Sequence, residues 1–147
     1  MSLAVDVASL SAGDRAAWEV LARGYKAFYR TSTSDAEYAT AWKRLLARDG
    51  VAGLGAKING QLVGIAHYLF HTSAWAQTVC YLQDLFTSPA LRSKGVGSAL
   101  IEAVAADARV HGAVRYYWLT QDHNAVARRL YDRVAKHNGF IRYDFAL

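Results

Sequence analysis

The sequence predicts a mixed α/β fold with a mostly antiparallel central sheet flanked by helices, in the order β-αα-βββ-α-β-α-β. Three observations lead to this prediction. The 147 residues are 53% apolar and 20% charged, which is typical of one globular domain over residues 1–147. Asn59-Gly60 separates two apolar runs and predicts a β-hairpin. A mostly apolar helical run over residues 96–108 lies between two strand-like runs and predicts a parallel crossover.

The first third of the chain predicts one strand and two helices. Residues 5–10 are short and apolar, as in a strand, and residues 11–14 form a good helix start. Large apolar residues between Trp18 and Tyr29 then recur at helical spacing. Ser34 with Glu37 three residues later predicts a capping box that opens a second helix, which Asp49-Gly50 ends.

The remainder alternates strands and helices. Strands are predicted over residues 51–58 and 61–70, which flank the Asn-Gly turn, and over residues 78–87, which are rich in β-formers. The apolar helix over 96–108 stops near Gly112, and residues 114–120 predict a strand covered on both faces. Asn124 is expected to cap a final helix that Gly139 ends, and residues 140–145 predict a closing strand.

Composition excludes several classes of protein. The single cysteine, Cys80, excludes an internal disulfide framework, and the five dispersed histidines lead us to expect no metal site. The start of the chain carries Asp6 where a signal peptide would be apolar, and no apolar run approaches the roughly 20 residues that span a bilayer. We therefore expect a cytoplasmic protein with no membrane contact.

The charge balance predicts an anionic ligand. Seventeen Lys and Arg against twelve Asp and Glu give a formal charge of +5. The basic residues are scattered and form no recognisable nucleic-acid motif, so we expect no nucleic-acid partner.

The turn over residues 92–98 is the most informative segment. Backbone N–H groups at a helix start lack partners within the helix, and the helix dipole adds positive potential there. Gly95 and Gly97 allow close approach of an oxyanion, and Arg92 and Lys94 add charge. The ligand predicted here is a phosphate or pyrophosphate. The segment lacks the Walker A pattern, and it lacks the third small residue and distant acid of a dinucleotide-binding turn.

Arg92-Ser93-Lys94-Gly95-Val96-Gly97 instead resembles the R/Q-x-x-G-x-G/A element of the GCN5-related N-acetyltransferase (GNAT) superfamily, which binds the pyrophosphate of acetyl-CoA. Residues 81–86 look like the family's central bulged strand. Residues 124–131, read as N-x-x-A-x-x-x-Y, look like its second conserved element. The Leu-rich start and residues 140–143 look closest to the branch that contains yeast histone and polyamine acetyltransferases.

The resemblance implies acetyl-CoA as co-substrate and a role for each matching residue. Main-chain groups of Leu85, Phe86 and Thr87 at the strand bulge would hold the pantetheine and supply an oxyanion donor. Asn124 would fix the cofactor arm and the loop after Trp118. Tyr131 would protonate the departing thiolate. The full set implied to bind the cofactor is Leu85, Phe86, Thr87, Arg92, Ser93, Lys94, Gly95, Val96, Gly97, Ser98 and Asn124.

The same resemblance implies direct attack by a primary amine on acetyl-CoA in a ternary complex. The acceptor expected is a small amine of the amino-acid or polyamine type. Tyr25, Tyr29 and Arg30 would form one wall of its pocket, with Gln83 nearby. Related polyamine enzymes usually carry Glu where this chain has Gln83, so Asp84, a water chain or a low amine pKa must account for the proton.

Other interpretations remain open from the sequence. A non-catalytic acyl-CoA-binding module is favoured by Gln83 and disfavoured by Tyr131. A protein amine is a further possible acceptor, and a nucleic-acid binder ranks last. The closing strand is a candidate for pairing in a homodimer.

Overall fold

The computed structural model describes residues 3–147 and forms one five-stranded sheet in the order β1-β2-β3-β4-β5. Strands β1 to β4 pair antiparallel, and β5 pairs parallel to β4. The predicted fold class and the crossover are confirmed. The elements are β1 (Asp6–Ser9), α1 (Arg15–Phe28), α2 (Asp35–Ala47), β2 (Ala52–Ile58), β3 (Gln61–His71), β4 (Val79–Thr87), α3 (Val96–Val110), β5 (Tyr116–Trp118) and α4 (Ala125–Val134).

Local sequence signals determine several of these ends. The Ser34 hydroxyl accepts from the Glu37 amide at 3.2 Å, and the Glu37 carboxylate accepts from the Ser34 amide at 2.7 Å. This is the capping box predicted for α2. Asn59 and Gly60 both have positive φ, 51° and 78°, as the tight turn between β2 and β3 requires.

The two faces of the sheet carry separate apolar layers. Helix α3 covers one face, where Val96, Leu100 and Val104 are at most 1% exposed. Helices α1 and α2 cover the other face through Trp18 and Trp42. The sheet therefore has helices on both of its faces, which is what the predicted element order requires.

The last third of the chain differs from the prediction. Strand β5 spans three residues that are all partly exposed, where residues 114–120 were expected with both faces covered. Helix α4 ends at Val134, before the predicted stop at Gly139. Residues 140–145 form no strand, and Phe140, Ile141, Tyr143 and Phe145 are 75–89% exposed. A strand needs a neighbour to take its backbone hydrogen bonds, and no strand within residues 3–147 pairs with this segment.

No helix in the described part of the chain is both long and apolar enough to cross a bilayer.

Candidate active site

A cleft opens where β4 and β5 separate. The two strands pair only from Cys80 to Leu82 on β4 and from Tyr116 to Trp118 on β5. Beyond that point the cleft is lined by Tyr25, Tyr29, Leu82, Gln83, Leu85, Trp118, Leu119 and Tyr131. Three residues predicted for the acceptor side and the predicted catalytic tyrosine thus line one cavity.

A β-bulge lies at the edge of this cleft. His67 on β3 pairs with Asp84, and the next residue, Tyr68, pairs with Leu82, so Gln83 is the extra residue on β4. The expected bulge is present, but it lies two residues before Leu85, where the sequence interpretation began it. A bulge disrupts the ladder and bends the strand, which helps β4 to diverge from β5.

The turn before α3 leaves three amides free of the helix. Ser93 and Gly95 both have positive φ, 63° and 86°, and all residues from Arg92 to Gly95 are exposed. The first helical bond is donated by Ala99 to the Gly95 carbonyl at 3.0 Å. The amides of Val96, Gly97 and Ser98 therefore precede the helical ladder, at the positive end of the helix dipole.

Two glycines bring this turn close to the sheet and to α4. A Cβ on Gly64 of β3 would lie 2.7 Å from Val96, and a Cβ on Gly97 would lie 3.1 Å from Leu130. The start of α3 consequently sits directly beside the end of β4, where Thr87 lies 4.0 Å from the Gly97 position. The residues predicted to bind pantetheine and pyrophosphate are thus neighbours.

The two basic residues of the turn, Arg92 and Lys94, have different surroundings. Arg92 turns back toward β4: its Nε donates to the Thr87 carbonyl at 3.4 Å, and its guanidinium lies 5.4 Å from the Phe86 ring centre. Lys94 is exposed. Together they place positive charge at the same end of the sheet as the free amides.

Tyr131 of α4 is one of the residues that line the cleft. Its ring packs edge-on against Trp118 at 5.4 Å between centres. Burial, with a smaller contribution from Tyr29, raises the pKa of Tyr131 to about 12. The phenol is therefore fully protonated at neutral pH and is available as a hydrogen-bond donor.

Asn124 is engaged in the local structure. Its Oδ1 accepts from the Ala127 amide at 3.4 Å and so caps α4, and its Nδ2 donates to the Thr120 hydroxyl at 3.3 Å. The second contact ties α4 to the loop after Trp118, which is half of the role expected for this residue.

Asp84 has partners that sequence reasoning missed. His67 Nδ1 lies 2.9 Å from its Oδ2, and the Trp18 indole Nε1 lies 2.9 Å from His67 Nε2. Burial alone would raise the pKa of Asp84, but the bonds from His67 and from the Tyr25 hydroxyl hold it below its usual range. The hairpin register, which sets His67 opposite Asp84, was the signal that could have separated His67 from the other histidines.

Three other side chains have simpler positions. Arg30 is exposed just after α1, with a φ of 53°. Cys80 is fully buried, and that burial raises its pKa to about 11, which suits a core residue rather than a nucleophile. Within residues 3–147, no three His, Cys, Asp or Glu side chains are grouped to hold a metal ion.

Comparison with known proteins agrees with this geometry. Residues 16–136 match the acetyltransferase (GNAT) family. The chain is 33% identical over 135 residues to the D-amino-acid N-acetyltransferase HPA3 of Saccharomyces cerevisiae, covering 88% of this chain and 83% of that protein. It is 28% identical over 107 residues to the thialysine N-epsilon-acetyltransferase of Caenorhabditis elegans, covering 73% and 67% of the two chains.

Solved structures share the fold. The aminoglycoside acetyltransferase AAC(6')-Iy in complex with a bisubstrate analogue superimposes with a TM-score of 0.86 at 17% identity, covering 98% of this chain and 99% of that one. Another structure of AAC(6')-Iy, in complex with CoA, also has a TM-score of 0.86. Because the family match spans most of the sequence, the chain belongs to the GNAT family of acetyltransferases.

Proposed function

We propose that this chain transfers the acetyl group of acetyl-CoA to the primary amine of a small molecule, by direct attack within a ternary complex. The observation that carries the proposal is the cleft between β4 and β5, which brings Tyr25, Tyr29 and Tyr131 together. The free amides at the start of α3 lie at the same end of the sheet. Family membership supplies the reaction class.

The co-substrate is proposed to bind along the end of β4 and the start of α3. The amides of Val96, Gly97 and Ser98 would take the diphosphate, with Arg92 and Lys94 adding charge. Ser93 and Gly95 would provide the turn. Main-chain groups of Leu85, Phe86 and Thr87, past the bulge, would hold the pantetheine arm, and Asn124 would support it from α4. An N–H of that strand would stabilise the oxyanion.

The chemical step is an attack by the amine nitrogen on the thioester carbonyl carbon. The C–N bond forms, the C–S bond breaks and CoA leaves as a thiolate. A thiol has a pKa of about 8.5, so a phenol whose pKa is about 12 donates a hydrogen bond to the developing thiolate more readily than it surrenders its proton. We therefore assign Tyr131 the stabilisation of the leaving sulfur, with the amine proton passing to solvent.

The acceptor is proposed to be an amine of the amino-acid type. Two relatives are named for acetylating a D-amino acid and thialysine, both of which carry an amine and a carboxylate. In this chain the aromatic pair Tyr25 and Tyr29, with ring centres 4.9 Å apart, would contact the amine-bearing side. Exposed Arg30 would meet the carboxylate.

The test is an acceptor screen. Purified protein, acetyl-CoA and a panel of D- and L-amino acids, thialysine, polyamines and a lysine-containing peptide are assayed for CoA thiol release and for acetylated product by mass spectrometry. Acetylation of an amino-acid amine is expected. Acetyl-CoA binding without any acetylated product would favour the non-catalytic module for which Gln83 argues. Acetylation of the peptide alone would favour a protein acceptor.

We further propose a cytoplasmic homodimer. The exposed apolar side chains of residues 140–145 support pairing of this segment with a second copy. The outer edge of β5 also supports pairing with a second copy. This edge borders a groove of about 210 Å³ lined by Ala105, Ala108 and Ala113. Light scattering should give twice the chain mass for the intact protein and the monomer mass after truncation at Gly139. A monomeric intact protein would contradict the dimer.

A further inference from the structure

Hydrogen bonds join Trp18 in the core, through His67, to Asp84 beside the cleft. The Trp18 indole, on α1, is 1% exposed and lies 2.9 Å from His67 Nε2. His67 Nδ1 lies 2.9 Å from the Asp84 carboxylate. The Tyr25 hydroxyl interacts with the same carboxylate and helps to lower its pKa, and Tyr25 lines the cleft. Each residue therefore contacts the next, from buried indole to cleft.

The direction of each bond follows from chemistry. An indole N–H donates only, so His67 Nε2 must accept and carries no proton. The proton of the neutral imidazole then sits on Nδ1 and is donated to Asp84. A carboxylate accepts only, so the Tyr25 hydroxyl is the donor toward Asp84.

The Tyr25 hydroxyl, the last group in this series, has a defined hydrogen-bonding polarity. With its proton directed at Asp84, the Tyr25 hydroxyl has only oxygen lone pairs left to offer to a ligand in the cleft. An acceptor there suits a ligand that brings its own N–H groups, as an amine or ammonium does. A hydroxyl free to rotate would have no such preference.

Resting on the function proposed above, we infer that Trp18 and His67 are positioning residues for the amine. Trp18 fixes the tautomer of His67, His67 orients Asp84, and Asp84 turns the Tyr25 oxygen into an acceptor for the substrate amine. Neither Trp18 nor His67 touches the substrate in this scheme.

Two substitutions at His67 separate this role from simple packing. His67→Asn can place an amide N–H where Nδ1 is and keeps a donor to Asp84. His67→Gln can keep an acceptor for Trp18 but removes that donor. We expect His67→Gln to raise the KM for the amine roughly tenfold, the scale of a lost bond to a charged group. We expect His67→Asn to stay within about threefold of wild type, and the KM for acetyl-CoA to stay unchanged in both.

The matched control is His111→Asn. His111 also pairs with an aspartate, Asp107 at 3.3 Å, but lies at the end of α3. Its kinetics should equal those of the wild type. Equal loss in the two His67 variants, accompanied by equal loss of thermal stability, would show that His67 serves packing and would overturn the inference.

A double-mutant cycle and an NMR spectrum test the series of interactions from Trp18 to Tyr25 independently of folding. Tyr25→Phe removes the acceptor itself, so adding His67→Gln to it should raise the amine KM no further; additive effects would overturn the scheme. The ¹⁵N spectrum of wild-type protein at neutral pH should show His67 as the Nδ1–H tautomer, and the Nε2–H tautomer would refute it. The spectrum needs no turnover, so a failed acceptor screen would sink the proposed function without deciding this inference.

Discussion

Replacing Tyr131 with Phe isolates the contribution of one hydroxyl to the leaving thiolate. The substitution removes one hydroxyl from a side chain that lines the cleft, so the free energy of unfolding should change by less than about 0.5 kcal/mol. Its ring, which packs on Trp118, is retained in Phe. The substitution therefore removes chemistry while keeping the fold.

The expected magnitude follows from the pKa of Tyr131. At about 12 it lies above that of a thiol, so the hydroxyl contributes a hydrogen bond to a charged sulfur, about 1.5–3 kcal/mol. At 1.36 kcal/mol per tenfold, kcat should fall about 10- to 150-fold, while the KM for acetyl-CoA stays within about twofold. The ratio of wild-type to variant kcat should stay constant up to about pH 10, because the phenol remains protonated throughout that range.

Thiol release at saturating amine measures kcat, and calorimetry measures acetyl-CoA affinity. Tyr143→Phe, in the exposed closing segment, is the control and should leave both unchanged. If Tyr131→Phe weakened acetyl-CoA binding as much as turnover, the residue would be structural. A kcat equal to that of the wild type would remove it from the chemical step.

Three further outcomes follow from the structure. Arg92→Ala should weaken acetyl-CoA binding about tenfold by calorimetry, with Arg133→Ala on α4 as the control; unchanged affinity would count against the diphosphate assignment. Gly64→Ala should cost about 1–3 kcal/mol in urea unfolding, because the new Cβ would lie 2.7 Å from Val96; a neutral result would mean that α3 moves away freely. Asp14→Asn should destabilise the protein by about 1–2 kcal/mol at pH 7, since the buried carboxylate is bonded to Ser11 and Lys57. Because folding lowers the pKa of Asp14 below 3.8, this stabilisation is present above that pH and disappears as the pH falls through the folded pKa; a difference that did not shrink on acidification would contradict the cause.

Signals confined to a few neighbouring residues predicted the structure well. The capping box at Ser34, the Asn59-Gly60 turn and the helical start at Val96 depend on local backbone geometry, which short sequences specify. The end of the chain was predicted less well. A run such as residues 140–145 has strand composition, but a strand exists only if another strand accepts its hydrogen bonds.

The candidate site shows the same difference between local signals, which the sequence reveals, and long-range contacts, which it does not. The turn over residues 92–98 and its free amides were readable from glycine positions, because helix starts carry unpaired N–H groups wherever they occur. The bonds joining Trp18, His67 and Asp84 were not readable, because they link residues 17 and 49 positions apart whose contact depends on sheet register and helix packing. By itself the sequence predicted the fold family, through its resemblance to known motifs, and the glycine-rich turn with free amides, through local residue spacing. Only the tertiary structure decided which polar side chains meet beside the cleft, because a bulge at one position sets which side chains of β4 face α1.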